Sequence, residues 1–160
     1  MNEETALVRT DVIDIGVVEA RSPTEVVAKA TEMAKALASI ITDRKLFKVI
    51  QDRKYVMVEG WSTLGAMIGV MPREVSVGRL EDGGYEAVVE LIRTSDGMVV
   101  GRASSLCGMD ETTWAKRPEY ARRSMAVTRA TGKAYRLGFS WIMKLAGYEA
   151  TPAEEIPPES

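Results

Sequence analysis

Hydrophobic positions along the chain follow two rhythms, one with a helical period and one with a strand period. Val26, Ala30, Met33, Leu37 and Ile41 recur at i, i+4, i+7, i+11 and i+15, with Ile40 alongside. That spacing gathers apolar side chains on one helical face. Ser22-Pro23-Thr24-Glu25 just upstream reads as a capping box with proline at the first helical position. The pattern predicts an amphipathic helix of about five turns ending near Thr42. LFKVIQDRKYVMVEG then gives two short strand-like runs around a turn at Gln51-Asp52-Arg53-Lys54, and WSTLGAMI a short helix capped by Ser62. Three strands follow, Arg73 to Leu80, Tyr85 to Thr94 and Met98 to Cys107, joined at Glu81-Asp82-Gly83-Gly84 and Ser95-Asp96-Gly97. Val88, Glu90 and Ile92 alternate with Val89, Leu91 and Arg93, so both faces of the middle strand mix apolar and polar residues.

The last long element spans Thr112 to Gly147. Pro118 fits a first helical position, and no further proline interrupts the run to Gly147. We read one long helix, bent near Gly138. At 100° per residue, Arg122, Arg129, Lys133 and Arg136 share one side, next to an apolar arc of Ala126, Val127, Ala130, Ala134 and Leu137. Ser124, Thr128, Thr131 and Gly132 leave room for close approach of other backbone. The element order predicts an α+β fold. It is a twisted antiparallel β-meander with an N-terminal helix and a long C-terminal basic helix packed on one side. Residues 1–148 read as one domain. Residues 149–160, rich in proline and glutamate, read as an acidic, disordered tail. VIDIGVV, within the first 20 residues, reads as a strand or an ordered arm.

Composition narrows the chemistry. The chain has 160 residues, 46% hydrophobic and 28% charged, as in ordinary globular domains. No apolar run approaches the roughly 20 residues of a membrane span, and the N-terminus is acidic rather than signal-like. A single cysteine, Cys107, excludes an intrachain disulfide and fits a reducing cytoplasm. With no histidine, Ser-His-Asp and Cys-His catalysis and the commonest zinc ligand sets are excluded.

Net charge is −2, but its distribution is uneven. Residues 1–20 and 149–160 each carry −4, which leaves +6 for residues 21–148. Thr112 to Tyr148 holds eight Lys/Arg and one acid, Glu119. A basic core with acidic ends suits a polyanion partner, or tails that merely solubilise. The basic helix is accordingly either a phosphate track or a solvated face. Trp114 and Tyr120, among Lys116, Arg117, Arg122 and Arg123, either stack on unpaired bases or anchor the helix start in the core. Arg53 and Lys54 offer a second basic point at the first hairpin, and Arg102 sits in mid-strand, where it needs solvent or a partner. Glu86, Glu90, Asp96, Asp110 and Glu111 supply the acids of a metal site, but not in a nuclease-like spacing. We expect no catalytic residue, no metal and no cofactor.

The hairpin turns EDGG and SDG followed by WAKRPEYARRSMAVTRATGKAYRLGF resemble phage-type single-strand annealing proteins. These are the ERF and Sak group, akin to the eukaryotic Rad annealing protein. Tyr120-Ala121-Arg122-Arg123 is similar to the YARRY stretch of ERF proteins, and ATGKAYRLGF to their helix ending in a Leu-Gly step. The resemblance covers about residues 73–147, and the sequence departs from the family in its acidic pI of about 5.4. It implies ring or filament homo-oligomers that bind single-stranded DNA and anneal complements without ATP, alongside host or phage recombination proteins. The groove would lie between hairpin and long helix, lined by Arg122, Arg123, Arg129, Lys133 and Arg136. The alternatives are an interaction protein whose basic helix meets a neighbour's acidic tail, and a carboxylate-metal nuclease.

Overall fold

The computed structural model describes residues 18–157, so most of the VIDIGVV segment lies outside the described residues. Helix α1 (Pro23–Arg44) begins at the Ser22 cap, with the Glu25 half of the expected box shifted by one residue. Ser22 Oγ accepts the Glu25 N–H at 3.1 Å, while the Glu25 carboxylate reaches back to the Arg21 N–H at 2.8 Å. Its buried stripe is Ala30, Ala34, Leu37 and Ile41. Lys45 ends the helix in the left-handed conformation at φ 53°.

Strands β1 (Phe47–Ile50) and β2 (Arg53–Val56) form a separate hairpin. Its turn is tighter than expected. Only Gln51 and Asp52 form it, both with positive φ, the type I′ geometry that matches strand twist. Arg53 and Lys54 are therefore strand residues, paired with Ile50 and Val49.

Helix α2 (Val58–Met67) starts three residues before the expected Trp61, so Ser62 lies inside it and caps nothing. The cap comes from the far end of the chain, where both Glu154 carboxylate oxygens accept the Val58 N–H at 3.0 Å. Strands β3 (Val70–Arg79), β4 (Tyr85–Arg93) and β5 (Val99–Cys107) make the antiparallel meander in the order β3-β4-β5. Tyr85, Ala87, Val89 and Leu91 point inward from β4. On the other face the register sets Glu90 between Arg73 and Arg102.

The long helix expected after Pro118 is α4 (Glu119–Leu145), and Pro118 stands before it as its N-cap with ψ 152° rather than inside it; a short turn, α3 (Thr112–Ala115), precedes it. Helix α4 runs on through Gly138. Its 27 residues, about 40 Å, lie along β5 and β4 at one end and against α1 and α2 at the other. Trp61, Leu64, Tyr135, Ile142, Leu37 and Ile41 fill the core between the helices. Tyr135 rests directly on α2, where a Cβ at Gly65 would come within 2.4 Å of its ring.

The tail is ordered through Pro157, contrary to the expected disorder. Pro152 and Ala153 are buried, and Ala153–Glu155 form a 3-10 turn against α4. Pro152 packs over Gly132, where a Cβ would stand 3.0 Å from the proline ring, tighter than ordinary contact.

Candidate functional site

The cationic side of α4 points into the molecule. Arg122 is buried and donates to three carbonyls, Gly83 at 3.1 Å, Trp114 at 3.3 Å and Arg117 at 2.6 Å. It thereby ties the β3-β4 turn to the α3-α4 connection. Arg129, also buried, forks onto Glu111 at 2.6 and 2.8 Å and donates to the carbonyls of Leu106 at 2.9 Å and Glu154 at 3.0 Å. Lys133 donates to the Ser104 carbonyl at 3.1 Å, and Arg136 grips both Glu155 oxygens at 2.7 and 3.0 Å.

The expected phosphate track is therefore corrected at Arg122, Arg129 and Arg136, and in part at Lys133. Their donors satisfy carbonyls and acids of the same chain. The acidic tail meets the basic helix within one chain, where the interaction-protein reading placed it against a neighbour. Ser104 and Leu106 belong to β5, an edge strand, so Lys133 and Arg129 cap carbonyls that an open edge would leave to solvent or to another chain.

Electrostatics agree with this stitching. The Arg129 guanidinium, helped by the Gly108 N–H, holds the Glu111 carboxyl below its ordinary range against the opposing effect of burial. Burial works against the Arg129 charge, but Glu111 outweighs it and raises its pKa. Burial pushes the Cys107 thiol up, as suits a packed, unactivated side chain. Arg102, expected to need solvent or a partner in mid-strand, pairs with Glu90 at 3.1 Å, and Arg73 takes the other oxygen at 2.6 Å. The same two pairs commit the Glu90 carboxylate. Among the described residues no three acids or cysteines converge as a metal site.

Of the remaining expected residues, Trp114 lines a groove, and the others lie on the elements that flank it. A cavity of about 400 Å³ opens between the β1-β2 hairpin and the start of α4. Lys48, Val49, Ile50 and Gln51 line one wall, Trp114, Met125 and Arg129 the other, and the tail lies between them. Arg117 stacks over the Trp114 ring at 4.9 Å, and the Trp114 indole N–H has no hydrogen-bond partner among the described residues. Next to this wall, Lys116, Arg117, Tyr120 and Arg123 are all exposed, Tyr120 at 75%. On the hairpin, Arg53 and Lys54 are exposed, with Lys54 also 5.4 Å from the Phe47 ring.

Sequence reasoning missed Lys48, Met125 and the tail as parts of this groove. The alternation of β1 puts Lys48 in register with Tyr55, but only once the turn is placed at two residues. Nothing local in the sequence announces that the tail folds back. Comparison of the chain with protein-family models, with curated proteins and with solved structures found no match in any of the three. Among the described residues no helix is long and apolar enough to cross a membrane.

Proposed function

We propose that the chain binds single-stranded DNA at the α3-α4 junction and the adjoining groove, and promotes annealing of complementary strands without ATP. One observation carries this reading: Tyr120 stands out in solvent with Lys116, Arg117 and Arg123 exposed around it. Lys116 and Arg123 form no salt bridge among the described residues, in contrast to Arg129 and Arg136 in the same segment. An exposed aromatic ring among free cations offers a stacking platform for one base and charge for the phosphates on either side. Arg53 and Lys54, exposed on strand β2 of the same hairpin, supply a second cationic patch. Holding the strand by its phosphates and a single ring leaves the other base edges open for pairing. The chemistry is non-covalent, so the residues act by position and charge alone.

The test is fluorescence anisotropy of a labelled single-stranded oligonucleotide with a duplex control, at low and moderate salt, followed by a quenched-duplex annealing assay. Tight single-strand binding that weakens with salt is expected. Lys116→Ala and Arg123→Ala each lower the log-log salt slope by about 0.7, and Tyr120→Ala costs about 1–3 kcal/mol. No binding at low salt, or unchanged binding in the triple variant, refutes the proposal.

A further inference from the structure

We infer that the C-terminal half of α4 and the start of β5 form a two-fold interface between two copies of the chain. Leu137, Trp141 and Leu145 stand at i, i+4 and i+8 and are 59%, 42% and 48% exposed. They share the helical side on which Ala126, Ala130 and Ala134 are fully covered nearer the N-terminus. Beyond Ala134 the helix is anchored from its opposite side by Tyr135, Phe139, Ile142 and Met143, and this side loses its cover.

The strand beside it is open at the same level. Arg129 reaches Leu106 and Lys133 reaches Ser104, so four helix residues advance with two strand residues. The steps match, at about 6 Å and 6.7 Å. Continued, they bring Leu137 level with Arg102; beyond it the strand bulges at Val100, between the Gly101-Leu91 and Val99-Ile92 pairs. Met98, Val99 and Val100 are exposed there. Cationic side chains cap the strand edge at Ser104 and Leu106, and apolar ones replace them from Leu137 onward. The open edge and the apolar stripe therefore begin together.

A second copy is the occupant that fits. The strip carries no unpaired charge that would call for an oppositely charged partner, since Lys144 only flanks it and Arg102 is paired with Glu90. An antiparallel β5-β5 pairing across a two-fold axis supplies donors and acceptors from one self-complementary patch. Gly138, exposed and with nothing within 4 Å of where a Cβ would stand, leaves space beside Leu137 for Trp141 of the partner subunit. The six apolar side chains present on the order of 500 Å² per copy, so mutual burial removes about 1,000 Å², the threshold for a specific interface. This surface is separate from Lys116, Tyr120 and Arg123, so the inference stands apart from the DNA-binding proposal.

The experiment is sedimentation velocity of the full chain over a wide concentration range, with circular dichroism of each variant. The expected species is a dimer of about 35 kDa, twice the 17.6 kDa chain. Trp141→Glu and Leu137→Glu, both at exposed positions, should keep the helical spectrum and raise the dimer dissociation constant at least about 30-fold. A chain that stays monomeric, or a dimer indifferent to both substitutions, overturns the inference. So does a monomer whose Trp141 emission is shielded from acrylamide, which would give the face to the chain's own N-terminal residues. A heterologous ring or filament overturns the two-fold arrangement.

Discussion

Replacing Arg129 with alanine should lower the stability of the fold by about 3–5 kcal/mol, the usual cost of breaking a buried ion pair from one side. The figure follows from what the change strands. Glu111 loses both guanidinium bonds and keeps only the Gly108 N–H at 2.9 Å. The carbonyls of Leu106 and Glu154 lose their donors as well. Arg129 and Glu111 side chains are 9% and 27% exposed, so solvent screens little of the loss. Against a typical total of 5–15 kcal/mol this is a large fraction, and it lowers Tm by about 6–20 °C for a chain of this size.

Urea denaturation followed by circular dichroism measures the change directly. Arg129→Lys should restore the charge but not the fork, and recover only part of the loss. A double-mutant cycle with Glu111→Gln should give a coupling of about 0.5–3 kcal/mol. Arg123→Ala, at an exposed position of the same helix, should stay within about 0.5 kcal/mol of the parent. If Arg129→Ala is within 1 kcal/mol of the parent and loses DNA binding, the side chain is a phosphate contact and the stitching argument fails.

Two further outcomes test the packing and the charge bookkeeping. Gly65→Ala places a methyl within 2.4 Å of the Tyr135 ring and should cost about 1–3 kcal/mol by overpacking; a thermal melt unchanged from the parent would contradict the packing described. Because Arg129 lowers the folded-state pKa of Glu111, that pair's stabilisation is present above the ordinary carboxylate range and is lost as pH falls through the lowered value. Stability measured from pH 7 to pH 2 should therefore fall less steeply on the acid limb in Glu111→Gln, and an identical limb would remove the pair from the account.

The sequence carried the secondary structure because its signals there are local. The Ser22 box, the period of Ala30 to Ile41 and the two Gly-containing turns of the meander each act within a few residues. The misjudged points are those decided at long range. Helix α2 starts at Val58 because Glu154, 96 residues away, caps it. The tail is ordered because Arg129 and Arg136 need acceptors and Gly132 admits Pro152. A helical wheel showed that the cations share a side, but not that the side faces an open strand edge.

Arg122 and Arg123 show why composition alone misassigns such a helix. They are adjacent and chemically identical, yet a rotation of about 100° buries one against three carbonyls and leaves the other in solvent. A guanidinium carries five N–H donors, so its function can be read from where they go. When carbonyls and carboxylates of the same chain take four of them, as for Arg129, binding a phosphate would require breaking the fold's own contacts. When the fold takes none, ordering the side chain on a ligand costs only its rotamer freedom. On the proposed single-strand reading, an alanine scan should therefore find binding defects at Lys116, Arg123 and Arg53, exposed and in no salt bridge among the described residues, and stability defects at Arg122 and Arg129.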